Sequence, residues 1–149
     1  MTIRVPIGRD ASFEEIREAS NALLFHTVGD LLPDGAGGLQ GSDNKGDLGE
    51  LLEEYYGMEN DNDPGPDFRK EGIELKGKPL HFPYDKYVYP QEPVSIGMLD
   101  YGEVAETARW QDIEKLKRKL LRLLIVWHND SPELRQDYKY VWWQKIEFP

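Results

Sequence analysis

Cysteine is absent from the 149 residues. That excludes disulfides, thiolate metal sites and cysteine nucleophiles together. Long apolar runs are absent as well, since none approaches the roughly 18–20 residues a membrane-spanning helix needs. The N-terminal "MTIRVPIGRD" has no apolar stretch of the kind that drives secretion. The expected setting is therefore cytoplasmic, without membrane contact. Basic residues are outnumbered, 18 against 28 acidic, for a net charge of −10. Taken alone, this argues against nucleic acid as a partner, because phosphate contacts need Lys and Arg. The three histidines, His26, His81 and His128, share no metal-ligand spacing and read as structural or surface residues. "NDNDPGPD" lacks the register of a calcium loop and carries Pro64 inside it. There is no internal repeat and no low-complexity block.

What is present suits one domain. A chain of this length buries roughly 70% of its unfolded surface, and 39% hydrophobic residues can fill a core. Eight Tyr, five Phe and four Trp point to a sheet-containing fold rather than a simple bundle. "ASFEEIREASNALLF" reads as a helix, with Ser12 and Glu15 as a capping box. "DLGELLEEYYG" reads as a second helix, capped by Asp47, with Glu50 at the capping-box position and Gly57 at its end. "GIELKGKPLHF", "VSIGMLDY", "LLIVWH" and "YKYVWWQKIEF" read as strands, the third central and the last partly exposed. "WQDIEKLKRKLL" reads as a basic helix. The order α, α, β, β, α, β, β predicts an α/β fold, a mixed sheet flanked by helices. Trp127, Trp142 and Trp143 read as packing residues rather than platforms for base stacking.

The charge is uneven. Residues 41–76 carry eleven acids and four bases, a local net of −7, whereas residues 110–124 carry five bases and two acids, a net of +3. An acidic cluster beside a basic helix suits a cation-dependent enzyme that acts on a polyanion, and also suits an ordinary solvated face. On the second helix, at about 100° per residue, Leu48, Leu51, Leu52, Tyr55 and Tyr56 form one apolar arc. Glu50 and Glu54 point away from it. Glu53 stands at its edge, the one of the three glutamates placed to reach a site between helix and sheet.

In "PDFRKEGIELKGKPL", residues 66–80, Glu74 and Lys76 share one face of an extended segment. With Asp67 they make a P-D…E-x-K pattern. Carboxylates are the ligands magnesium prefers, with substrate phosphate and water completing its shell. The main-chain carbonyl of Leu75 is a further oxygen between them. A lysine beside such a site holds or helps deprotonate water and offsets transition-state charge. By itself the spacing is a weak signal.

The surrounding residues sharpen it. Asn44, Lys45, Gly46, Gly49 and Glu53, followed by Asp67, Phe68, Gly72, Ile73, Glu74, Leu75 and Lys76, match in order and spacing an N-K-G-x-x-G-x-x-x-E helix and a D-F-x-x-x-G-[IV]-E-L-K segment. This closely resembles the family of the MutH mismatch-repair endonuclease and its GATC-cutting restriction relatives. Thr27, Gly29, Asp30 and Leu31 look like the family's T-x-G-E-L segment. "RWQDIEKLKRKLLRLLIVW" is similar to its tryptophan, basic helix and following strand, and "VSIGMLDYGEV" to a strand of the restriction relatives. The likeness runs over about residues 15–130.

The resemblance implies a restriction-endonuclease-like PD-(D/E)xK fold and a magnesium-dependent endonuclease, with manganese as a substitute. It implies double-stranded DNA as substrate, GATC as the family's site and 5′-phosphate ends. By match, Asp67 and Glu74 would be metal ligands with the Leu75 carbonyl, Lys76 the catalytic lysine, and Glu53 the helix carboxylate serving the site. Lys45 and Lys119 match family lysines near the active site or DNA, and Arg118, on the basic helix, is a further candidate to contact phosphate. The chain departs from the family in ending at "KIEFP", where the family continues into a portion that helps read bases. Residues 1–149 are thus expected to be a single endonuclease domain, a catalytic domain or fragment of a larger restriction or repair protein. A dimer is one route to cutting both strands. A second departure is Gly77 and Lys78 before Pro79, where the family has Thr or Ala. The alternative reading is a catalytically inactive or incomplete DNA-binding module.

Overall fold

The computed structural model describes residues 2–33, 46–59, 65–81, 89–90 and 122–147. Helix α1 spans Phe13–Leu23 and begins where the sequence predicts it. The Ser12 hydroxyl accepts from the Glu15 N–H at 3.3 Å, and the Glu15 carboxylate accepts from the Ser12 N–H at 3.2 Å. Its inward stripe is Ile16, Ala19, Ser20 and Leu23.

Helix α2 spans Gly46–Tyr55. It includes Gly46, so Asp47 lies within its first turn rather than at the expected N-cap position, a correction to the expected boundary. Its end is as expected. Gly57 adopts φ +82°, its N–H donates to the Glu54 carbonyl at 2.9 Å, and the Met58 N–H donates to the Glu53 carbonyl at 3.0 Å. This pair of bonds is the Schellman closure that a left-handed glycine permits. The extended N-terminal segment then satisfies further carbonyls, with the Val5 N–H donating to Tyr55 and the Gly8 N–H to Tyr56, both at 2.8 Å.

The two helices are joined through tyrosine. The Tyr55 hydroxyl donates to the Ala19 carbonyl at 2.6 Å, and the Tyr56 hydroxyl meets Ser20 Oγ at 2.7 Å. Both tyrosines are buried, so each polar tip needs such a partner. The Tyr56 ring also stands edge-on to Phe68, with centroids 5.3 Å apart, and this carries helix packing to the segment that bears Asp67.

Strands β1 (Ile73–His81), β2 (Tyr89–Pro90), β3 (Arg122–Asn129) and β4 (Tyr140–Glu147) form a mixed sheet in the order β2-β1-β3-β4. β1 and β3 are parallel, and the two outer pairings are antiparallel. β3 is central, as expected, and buried from Leu123 to His128. Ile73, Leu75, Leu124, Val126 and Tyr140 face the helices, while Leu123, Ile125 and Trp127 form a second apolar cluster. Trp142, on edge strand β4, is 56% exposed. The strand expected at 94–101 and the basic helix expected at 110–121 lie outside the described residues. No helix among the described residues is long and apolar enough to cross a membrane.

Val28–Leu31 forms a short 3₁₀ turn whose N-cap Thr27 and Asp30 cap one another, with Val28 and Leu31 buried. A Cβ on Gly29 would lie 3.0 Å from the Gln136 carbonyl oxygen, so the glycine permits a close crossing of two chain segments.

Two outcomes follow from this packing. At Gly57 a Cβ would meet Pro6 Cα at 2.6 Å, whereas at Gly8 (φ +77°) it would meet nothing within 4 Å. Gly8→Ala should therefore cost only the left-handed strain of about 1–2 kcal/mol. Gly57→Ala should cost clearly more, measured by urea unfolding; equal losses would contradict the packing. Burial also pushes the Tyr55 hydroxyl up to about 12, and raises those of Tyr56 and Tyr140. A raised folded pKa means that stability is fully present below the unfolded value and lost as pH climbs past it, here above about pH 10. Tyr56→Phe should flatten that alkaline loss in a urea titration series, and an unchanged slope would assign it elsewhere.

Candidate active site

The site is built on a tight hairpin. Phe68 and Ile73 exchange both main-chain hydrogen bonds, at 2.9 and 3.0 Å. Gly72, at φ +66°, supplies the left-handed residue that the turn between them needs. Phe68 is fully buried and anchors one arm. A 68–73 pair sets the next pair outward, Asp67 opposite Glu74. The bridge thus brings the chain at Asp67 back alongside the start of β1, where Glu74 lies.

Asp67 is then tied to β1 by its own side chain. Its Oδ2 accepts the Leu75 N–H at 2.9 Å. In a strand the N–H and C=O of one residue leave by the same edge, so the Leu75 carbonyl projects to the side where Asp67 lies. Glu74 is buried at 6% exposure. Lys76, two residues on, is half-buried and alternates onto the Glu74 face. The opposite face of β1 carries Ile73 and Leu75 into the helix-side core. Gly77 belongs to that face too, and a Cβ there would lie 3.2 Å from Leu52 Cδ2. The glycine that departs from the family pattern is thus where α2 rests closely on β1.

Glu53 is half-buried while Glu50 and Glu54 are exposed, as the helical arc predicts. It lines a cavity of about 240 Å³ with Leu48, Leu52, Lys76, Lys78 and His128. Asp67 and Glu74 are not in that lining. Among the described residues no three carboxylate or imidazole side chains gather closely enough to hold a metal ion. The structure thus ties Asp67 to Leu75, the neighbour of Glu74 on β1, and Leu75 and Lys76 line the cavity together with Glu53. His128 is buried and stacked on Tyr138, with centroids 5.4 Å apart and an interplanar angle of 10°. Lys45, Arg118 and Lys119 lie outside the described residues.

Sequence reasoning missed Arg9. Its Nη1 donates to the Asp67 carbonyl at 3.2 Å and lies 3.8 Å from Asp67 Oδ1. The same guanidinium bonds the Glu59 carbonyl and touches Met58 Sδ. Nothing in the local pattern of "IGRD" signals a partner 58 positions away.

The donors that Asp67, Glu74 and the Leu75 main chain offer are hard oxygens, two carboxylates and a carbonyl. They fit magnesium or manganese, which accept one or two carboxylates and fill the remaining positions with water and phosphate. They do not resemble the Cys and His sets that hold zinc.

The model of the MutH family, described as DNA mismatch repair enzyme MutH, matches residues 56–147. Comparison with curated proteins gives no match. The family match covers more than half of the chain, includes Asp67, Glu74 and Lys76, and begins just beyond Glu53. The chain belongs to the MutH family.

The contrast between neighbouring glutamates gives a test. Glu53→Gln should lower DNA cleavage by about tenfold or more, while Glu54→Gln, which loses only an exposed ion pair to Arg4 at 3.3 Å, should stay within about twofold. Equal effects in a single-turnover cleavage assay would remove Glu53 from the site.

Proposed function

We propose that the protein is a metal-dependent DNA endonuclease of the MutH type, with GATC-containing duplex DNA as substrate and 5′-phosphate ends as products. The observation that carries this reading is the bond from the Leu75 N–H to Asp67 Oδ2, which ties Asp67 to the strand bearing Glu74 and Lys76 inside the span of the family match. Residues 1–149 then work as one endonuclease domain.

In this reading Asp67, Glu74 and the Leu75 carbonyl hold magnesium, or manganese in its place. Bound there, the ion supplies Lewis-acid activation of the scissile phosphate and of water. Each side chain has a separate task. The Leu75 N–H fixes the Asp67 carboxylate against rotation. Burial of Glu74 beside Lys76 sets a carboxylate and an ammonium on one surface. Lys76 orients the attacking water and offsets the charge that builds on the phosphate oxygens. Glu53 reaches the same lysine from the cavity side and serves the site once DNA is seated. Lys45, Arg118 and Lys119 contact the DNA backbone, and that electrostatic contribution makes binding steeply salt-dependent in a chain of net charge −10.

The test is cleavage of supercoiled plasmid, with and without GATC sites, at low salt with magnesium, manganese or EDTA. The wild type should cut only with metal. Lys76→Ala should fall by about 10²–10⁴-fold and still bind manganese, while Asp67→Asn should lose both cleavage and metal. Cutting by Lys76→Ala at the wild-type rate would refute the site. A wild type that binds DNA but never cuts would make the chain a binding module instead.

A further inference from the structure

Asp67 offers two carboxylate oxygens, and the structure uses them differently. Oδ2 is committed to the Leu75 N–H at 2.9 Å. Oδ1 is the oxygen left for a cation, and it faces Arg9 Nη1 at 3.8 Å, an ion-pair contact too long for a hydrogen bond. Both side chains are only 15% exposed, so water screens the pair less than it screens a surface pair such as Arg4–Glu54, at 30% and 52%. Arg9 is also fixed in place. Its guanidinium holds the Glu59 and Asp67 carbonyls, and its own carbonyl accepts the Arg69 N–H at 2.8 Å. Those main-chain bonds would suffice to tether the chain. The approach to Oδ1 is additional and places a full positive charge where a metal would bind.

We infer that Arg9 is a positioning residue for Asp67 and the resident cation with which a divalent metal competes, so that it sets the metal concentration at which the site loads. This rests on the nuclease reading above. Two effects of opposite sign follow. The guanidinium aims the carboxylate, which favours turnover once metal is bound. Its charge repels the ion, which weakens loading. Removing the charge should therefore tighten metal binding and slow the saturated enzyme. A residue serving only as a tether would do neither selectively.

The experiment measures Mn²⁺ binding directly, from the free-ion electron paramagnetic resonance signal, on the full chain without DNA. Thermal midpoints and single-turnover cleavage are recorded beside it. Arg9→Gln, neutral and still able to hydrogen-bond, should bind Mn²⁺ about five- to tenfold more tightly and cut more slowly at saturating metal. Arg9→Lys, which keeps the charge, should hold the wild-type affinity within about twofold. Asp67→Asn should abolish binding. Arg9→Gln and Arg9→Lys with the same Mn²⁺ affinity and the same drop in midpoint would overturn the inference and leave Arg9 a tether. A wild type that cuts DNA while its Mn²⁺ binding survives Asp67→Asn would overturn it too, together with the place of Asp67 in the metal site, and leave the nuclease activity standing. A wild type that neither binds Mn²⁺ nor cuts would sink both.

Discussion

The hydrogen bond from the Leu75 N–H to Asp67 Oδ2 ties a loop carboxylate to the strand that carries Glu74 and Lys76. A flexible aspartate beside a strand would sample many directions, and one that accepts a strand N–H cannot. The bond in turn needs the 68–73 hairpin to bring Asp67 alongside β1, and the hairpin needs Phe68 buried against Tyr56. Tyr56 is held by Ser20, and its helix is closed by Gly57 against the N-terminal segment. The path from α1 to the acidic pair is thus one of packed rings and satisfied polar groups. A cavity or a lost hydroxyl along it would be felt at Asp67 without touching the site.

Alternation along β1 divides the work. One face, Ile73, Leu75 and Gly77, joins the core under α2, and the other presents Glu74 and Lys76. Polar chemistry can sit on an interior strand because only every second residue is asked to be apolar. The cost is a buried carboxylate at Glu74, with a lysine two residues away on the same face of the strand. Charge at the site is then balanced among Asp67, Glu74, Arg9 and Lys76, and the large net charge of the chain says little about it.

Much of this was legible in the sequence because it is local. The Ser12–Glu15 box, the apolar arc of α2 with Glu53 at its edge, the glycine that ends that helix and the central strand with its continuous apolar run all appear where the residues place them. Asp67, Glu74 and Lys76 were singled out by their spacing together with the family resemblance, and the hairpin brings Asp67 alongside the strand that carries the other two. What was not legible is relational. A helical wheel gives the direction of Glu53 and not which residues of β1 it meets, so the cavity it lines with Leu75, Lys76 and His128 could not be foreseen. Arg9 meets Asp67 through tertiary folding alone. The start of α2 was misplaced because two acidic residues three apart look like a capping box even when the helix begins earlier.

The most direct measurement is anomalous diffraction from crystals grown with manganese. A peak within about 2.0–2.6 Å of Asp67 Oδ1, a Glu74 oxygen and the Leu75 carbonyl is the expected result. A peak confined to the cavity beside Glu53, or none at millimolar manganese, would contradict the assignment of Asp67 and Glu74 as the metal-holding pair.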